Sequence, residues 1–333
     1  MKVVLIANYS EQGGGISVQV RQLWKKLSDE GIGCDIVSTK GSLWERLRAI
    51  CFLLFSGRKY EVFHVHACSG WGFFPAIVGI TIGKCLRRRV VLTYHGGGAE
   101  RFFRKRKRVV SFFISKTDAN IVLSGFVGKV YDKYGFKYTI IPNIIEMDVC
   151  HFRQRHQIHP VFISIRSFTE TYNLHCSLRA FKIVKGLFPD AKLFLVGDGP
   201  LKDTIQSFAN DNGISGVSFV GHVSNYQIYD YLNQADIMIS SSHFDNMPIS
   251  FLEGFNAGLL VVATNVGGVP YMIKDGENGL LFEDDDYNEM ADKMVYAVTH
   301  QQDSIRMICS AYNSLDNYKW ESIKDKLISV YNV

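Results

Sequence analysis

The chain lacks the marks of several large protein classes. In 333 residues there is no run of about eighteen uncharged apolar side chains, so no membrane-spanning helix is predicted. The opening Met1-Lys-Val-Val-Leu-Ile-Ala-Asn8 is too short an apolar run for a secretory leader and reads as a first strand. The seven cysteines, Cys34, Cys51, Cys68, Cys85, Cys150, Cys176 and Cys309, are scattered with no Cys-x-x-Cys pair. That argues against a structural zinc or a redox dithiol and fits reduced thiols in the cytosol. No metal-ligand cluster is visible. Asp284-Asp-Asp286 lies where a helix begins and reads as helix-start charge. No Gly-x-Gly-x-x-Gly occurs, which disfavours a dinucleotide site and a dehydrogenase. No helix-turn-helix, RNP or zinc pattern accompanies the basic runs, so nucleic acid is not the expected partner.

What is present is an alternation of short apolar runs with amphipathic stretches. Strands are predicted at 2–7, 34–38, 62–66, 89–94, 119–123 and 138–141, then near 161–165, 192–196, 217–220, 236–240, 260–263 and 280–282. Helical stretches fall between them, among them 16–30, 43–56, 71–86, 101–115, 174–187 and 248–257. This rhythm predicts parallel, doubly wound α/β sheets. A boundary is expected between Ile141-Pro-Asn and His159-Pro160, and Trp320, Ile323, Leu327 and Tyr331 mark one face of a terminal helix. Residues 1–150 carry 23 basic and 11 acidic side chains, a net +12. Residues 151–333 carry 14 and 21, a net −7. The two halves therefore call for different partners.

The most informative stretch runs from Ser240 to Gly258. Asp245 lies in a Ser/Asn-rich loop after an apolar strand, and Glu253 lies eight residues on, in a helix read as opening at Pro248. Helix-start amides favour an anion, and a carboxylate two turns in can reach ligand hydroxyls. Phe251, Leu252 and Phe255 make this helix largely buried, so Glu253 needs partners. Gly13-Gly14-Gly15, between the first strand and a helix, allow close approach of a ligand or form a plain turn. His95 arrives at the carboxyl end of a strand beside Gly96-Gly-Gly98, on the ligand-binding edge of such a sheet. His64 and His66, alternating on a strand, read as structural.

The acidic pair, together with Val196-Gly-Asp-Gly-Pro200, Phe219-Val-Gly-His-Val223, Val266-Gly-Gly-Val-Pro270 and Asp275-Gly-Glu-Asn-Gly-Leu-Leu-Phe282, resembles the signature of the family 4 retaining glycosyltransferases. The resemblance is strong over the last half and weak over the first. It implies two Rossmann-like domains facing each other across a cleft, the glycosyltransferase-B fold. Residues 1–150 would bind acceptor, 151–317 would bind a nucleotide-diphosphate sugar, and the helix of 318–333 would cross back to the first domain. It also implies a glycine loop such as Gly14 and Gly15 near the donor phosphates, His95 on the transferred sugar, Arg166 on the diphosphate, Glu253 on the ribose and Asp245 on sugar hydroxyls. No cofactor or metal is implied, since helix amides and cationic side chains replace a divalent ion in this fold. Three departures stand out. Asp245, the first acid, is one methylene shorter than the glutamate common in relatives. The lysine that follows the arginine in relatives is missing, with Thr171, Tyr172 and Asn173 in its place. Pro248, which has no N–H, replaces a common glycine, leaving the amides of Met247 and Ile249.

The basic run Arg101 to Arg108 alternates with Phe102, Phe103, Val109, Val110, Phe112 and Phe113. A helix there would have a cationic and an aromatic face, suited to an anionic bilayer, although a plain solvated face is the competing reading. Leu43 to Phe55 is a second apolar stretch with basic flanks. The expected function is therefore transfer of a sugar to a glycan or polyprenyl-linked acceptor in cell-surface polysaccharide synthesis, at the cytoplasmic face of the membrane. Rival readings are a nucleotide-sugar epimerase or phosphorylase on the same fold, and a non-catalytic nucleotide-sugar binder or membrane-associated scaffold.

Overall fold

The computed structural model describes residues 1–11, 13–149 and 151–332. Cys150 and Val333, each part of a stretch read above, lie outside them. The other six cysteines carry free thiols. The chain divides into two compact units, Met1–Ile144 with Tyr318–Val333, and Ile145–Asn317.

The first unit runs β1 (Lys2–Ala7), α1 (Ile16–Asp29), β2 (Gly33–Ser38), α2 (Leu43–Ser56), β3 (Val62–Ala67), α3 (Phe74–Cys85), β4 (Arg89–Tyr94), α4 (Ala99–Lys105), α5 (Lys107–Ile114), β5 (Ala119–Val122), α6 (Gly125–Lys133) and β6 (Thr139–Ile140). Its parallel sheet has the order β2-β1-β3-β4-β5-β6. Both faces are covered, which is why β3 and β4 read as near-continuous apolar runs. The second unit runs β7 (Val161–Ile165), α7 (Leu174–Leu187), β8 (Lys192–Val196), α8 (Lys202–Asp211), β9 (Val217–Gly221), α9 (Asn225–Gln234), β10 (Ile237–Ser240), α10 (Ile249–Asn256), β11 (Leu260–Thr264), α11 (Val269–Met272), β12 (Leu280–Phe282), α12 (Tyr287–Thr299) and α13 (Gln301–Ser314). Its sheet order is β12-β11-β10-β7-β8-β9.

Strand order reverses between β1 and β3 in one unit and between β7 and β10 in the other. At such a switch point the two flanking loops leave in opposite directions and open a crevice at the strands' carboxyl ends. The last helix, α14 (Trp320–Tyr331), packs Trp320, Ile323 and Leu327 with Val3, Leu5, Val20 and Leu23 of the first unit. It is fastened by Trp320 Nε1 donating to Glu30 (2.9 Å) and by Arg89 Nε donating to the Val330 carbonyl (2.9 Å).

Four local expectations change. The helix predicted over 101–115 breaks at Arg106 into α4 and α5. Like charges one turn apart, Arg101 with Lys105 and Arg104 with Arg108, weaken a continuous helix. Its apolar residues are divided between the core and the surface, with Val109 and Phe112 exposed. Phe103 and Val110 are buried, and Phe102 and Phe113 pack on Phe73 at 5.4 and 6.4 Å between ring centres. The 71–86 stretch opens with a tight 3-10 turn, Gly70–Phe73. Pro248 caps α10 from outside, with ψ 122°, and Ile249 is the first helical residue. Finally, α13 was not expected, although Ser304, Met307, Ile308 and Ala311 lie on one buried face at helical spacing.

Candidate functional site

In the second unit the site residues gather at the carboxyl ends of β7 and β10. Arg166 directly follows β7, and its amide donates to the Val196 carbonyl (3.0 Å). Its guanidinium is held on all sides. Nε donates to Ser240 Oγ (3.1 Å) and Nη1 to Ser250 Oγ (3.0 Å). Nη2 lies 3.2 Å from Asp245 Oδ2, a pairing of charges without an aligned hydrogen bond, so this buried nitrogen keeps N–H to offer. The rings of Tyr172 and Phe251 lie 5.4 and 5.0 Å from the guanidinium carbon.

Two glycine motifs bring these pieces together. A Cβ at Gly197 would run into the Arg166 carbonyl, and one at Gly268 into the Asn246 carbonyl. Gly268 N–H also donates to the Asp245 carbonyl (3.0 Å). The loops carrying Arg166 and Asp245 are thus braced by backbone that only glycine lets come so close.

Burial raises the Asp245 carboxyl above its usual range against the pull of Arg166. Asp245 Oδ1 accepts from the Asn246 amide (2.9 Å). Glu253, half-buried on α10, is pushed by burial up to about 7, again against Arg166. Its carboxyl takes no hydrogen bond or ion pair among the described residues. A half-buried carboxyl without a partner suits a ligand that brings hydroxyl donors. Met247 and Ile249 flank the start of α10, where the first amides have no intrahelical acceptor.

The loop that lacks the expected lysine is tightly fixed. Ser241 Oγ donates to the Asn173 carbonyl (2.7 Å), and His243 N–H to the Thr171 carbonyl (2.9 Å). Asn173 Nδ2 donates to Asp285 Oδ1 (2.8 Å), and both residues have positive φ, 43° and 63°. The Asn173 amide is therefore committed within the protein, which leaves Tyr172 as the side chain beside Arg166. The acidic run works as a tie. Asp284 pairs with His243 (2.8 Å), Asp285 with Asn173, and Asp286 caps α12.

Gly14, Gly15 and His95 belong to the first unit. Gly15 caps α1 at φ 52°, and a Cβ at Gly14 would meet open space. Among the described residues, His95 does not stand alone. His66 Nδ1 lies 3.0 Å from His95 Nε2, and the rings stack at 5.2 Å. His64 Nδ1 bonds Tyr331 Oη and its Nε2 bonds Thr93 Oγ1, both at 2.7 Å. His66 Nε2 is buried without a partner among the described residues. A small cavity of about 40 Å³ adjoins His64, His66, Thr93 and His95. Burial drives His64 down to about 3 and His95 to about 4, with His66 well below its ordinary value, so all three rings are neutral near pH 7.

The sequence reading had Arg166, Asp245 and Glu253 but missed Ser240 and Ser250 as the holders of the guanidinium. Nothing local in the sequence marks them. It set His66 aside as structural, and the structure joins it to His95. Period-two alternation puts His64 and His66 on one face, but the contact with His95 depends on β3 lying beside β4, which no local signal shows.

Comparison with known proteins places these features in a family. The sequence profile described as Glycosyl transferases group 1 matches residues 151–314, and the profile described as Glycosyltransferase Family 4 matches 34–149. An uncharacterized glycosyltransferase of Methanocaldococcus jannaschii is 21% identical over 326 residues, 91% of this chain and 90% of that protein. The lipopolysaccharide core biosynthesis glycosyltransferase LpsE of Rhizobium meliloti is 31% identical over 125 residues, 37% of this chain and only 35% of that protein. Among solved structures, Anabaena HepE in complex with UDP-glucose superposes with a TM-score of 0.80 at 15% identity, covering 99% of this chain and 98% of that one. At that identity the likeness is one of fold.

Proposed function

The chain belongs to the family 4 glycosyltransferases, retaining enzymes that transfer a sugar from a nucleotide sugar, and from that premise we propose that Arg166, Asp245 and Glu253 hold its donor. The observation that carries this reading is the clamped guanidinium at the β7/β10 switch point, with one buried nitrogen lacking an aligned acceptor. Arg166 and the first amides of α10, Ile249 among them, meet the diphosphate. They stabilise the charge that builds on the leaving phosphate as the glycosidic bond breaks, and fixed donors do this without reorganising. Glu253 accepts from the ribose hydroxyls, and Asp245 orients hydroxyls of the sugar. Met247 lines the approach to α10. His95 contacts the sugar, and the Gly14–Gly15 turn lies near the phosphates. The donor is a UDP-sugar, a reading supported by the UDP-glucose bound to HepE.

The acceptor is a glycan or a polyprenyl-linked sugar of a cell-surface polysaccharide, and the protein attaches peripherally to the cytoplasmic face of an anionic membrane. Support comes from the +12 charge of residues 1–150, from the exposed cations of α4 and α5, and from the relative named for lipopolysaccharide core biosynthesis. No helix among the described residues is long and apolar enough to cross a membrane. The test is transfer of labelled sugar from a panel of UDP- and GDP-sugars to lipid-linked and soluble acceptors. Transfer from GDP-sugars alone, or to soluble glycans alone, contradicts the corresponding part.

A further inference from the structure

We infer that the outward face of α2 is a membrane-inserting surface, which enters an anionic bilayer beside the basic patch of α4 and α5. The inference rests on the membrane attachment proposed above and names the element that enters the lipid. A surface helix ordinarily turns polar residues outward. Here the inner face is Ala49 and Leu53, with Arg46 and Ile50 half-buried, and the outer face carries Leu43, Trp44, Leu47, Cys51, Phe52, Leu54 and Phe55 with the single cation Arg48 among them. Trp44, Arg48, Cys51 and Phe55 fall on one line of the helix, opposite Leu53, and Arg48 has the length to lay its stem along the lipid while its charge stays at the headgroups. Trp44 is 80% and Phe55 86% exposed. The only acid of α2, Glu45, is tied to the Ser42 amide (2.6 Å) in a capping box that fixes the helix start.

The surface continues past α2. Arg46 lies over the Phe74 ring (5.3 Å), and three residues before Phe74 stands Trp71, 85% exposed on its 3-10 turn. Phe73 of that turn packs on Phe102 of α4 and Phe113 of α5. From these helices and the break between them project Arg101, Arg104, Lys105, Arg106, Lys107 and Arg108, all exposed and without a salt bridge among the described residues. Two tryptophans and a phenylalanine, carried on an in-plane helix and a turn next to six unpaired cations, match the two layers of an anionic bilayer. Cations meet the headgroups and aromatic rings enter the acyl boundary.

A second copy of the chain is the main competing occupant. A twofold dimer that used the whole surface, cations included, would bury six positive charges a side against a partner of the same charge. Charge therefore favours lipid over self-association.

The test is flotation of the full chain with phosphatidylcholine vesicles, with and without one-third phosphatidylglycerol, at low and high salt. Wild-type protein is expected to float with the anionic vesicles and to keep a salt-resistant fraction. Trp44→Ser/Phe55→Ser is expected to lose that fraction about tenfold, and Arg104→Glu/Arg108→Glu to lose the salt-sensitive part. Both pairs of side chains are exposed, and unchanged circular dichroism checks the fold. Brominated lipid should quench wild-type tryptophan emission strongly and the Trp44→Phe variant less. If wild-type protein binds no vesicle, the membrane reading itself fails. If it binds and the Trp44→Ser/Phe55→Ser variant binds equally at high salt, the α2 assignment alone fails. A dimer in solution that this variant dissociates would give the face to a second copy and overturn the proposal.

Discussion

Arg166 Nη2 lies 3.2 Å from Asp245 Oδ2, and the pair is enclosed, with the side chains only 9% and 17% exposed. The cation offered to a diphosphate is thus already partly neutralised. With the donor bound as proposed, Arg166 would exchange one anionic partner for another, and burial, by raising the Asp245 carboxyl, would lower the cost of releasing it.

The Asp245→Asn variant separates two roles. With the competing charge removed, Arg166 should bind UDP at least as tightly as in wild type. Loss of the group that orients the sugar should lower kcat by about tenfold or more. Calorimetry with UDP beside steady-state kinetics reads both. Weaker UDP binding would mean that Asp245 serves to position Arg166.

Removal of Arg166 itself should cost about 100-fold in kcat/KM, as for other preorganised donors to a developing anion. Arg166→Lys should recover little, because a lysine cannot span Ser240, Ser250 and a phosphate with a planar fork. Ser250→Ala, which removes one hydrogen bond to a charged group, should cost about tenfold, and Ser250→Thr should restore most of it. If Ser250→Ala turns over at the wild-type rate, the clamp is not needed for catalysis.

Glu253 ionises near 7 in the free protein because burial disfavours its charge. Ribose hydroxyls donate, so the carboxylate is the binding form. UDP affinity should rise with pH through about 7, and the rise should vanish in Glu253→Gln. The stability sign is opposite. A raised carboxyl pKa contributes stability below the unfolded value of 4.5, which is lost as pH rises through about 7. Glu253→Gln should therefore unfold at a higher temperature than wild type at alkaline pH. A pH-independent wild-type affinity contradicts this account.

The three neutral histidines act in acid. Their folded pKa values lie below the unfolded value of 6.5, so below that pH the unfolded chain binds protons that the native protein refuses. Stability is complete above 6.5 and falls as pH drops towards about 4 and 3 for His95 and His64. Each such histidine contributes about 1.4 kcal/mol per pH unit in this window. His66→Leu should reduce the slope by about that amount. Urea unfolding between neutral pH and the onset of acid unfolding, read as the difference between variant and wild type, removes the opposing contribution of Asp245 and Glu253. Equal slopes would place the proton uptake elsewhere.

The sequence by itself determined the succession of elements. Each of the twelve strands lies within a residue or two of its expected place, because a parallel strand buried on both faces must be a short apolar run. Arg166 could be placed for the same local reason, as a polar residue directly after such a run, and Asp245 and Glu253 as the loop and helix carboxyls that follow another. Even the face of α14 was written in Trp320, Ile323 and Leu327. The partners were not. Arg166 finds Ser240 and Ser250 across 74 and 84 residues, and His64 finds Tyr331 across 267. The apolar residues of 101–115 had the spacing of a surface helix face, yet Phe103 and Val110 lie in the core while Phe112 and the aromatics of α2 stay outside. Periodicity says that a face is apolar. Which neighbour covers it is decided by strand order and helix packing, and those exist only once the whole chain has folded.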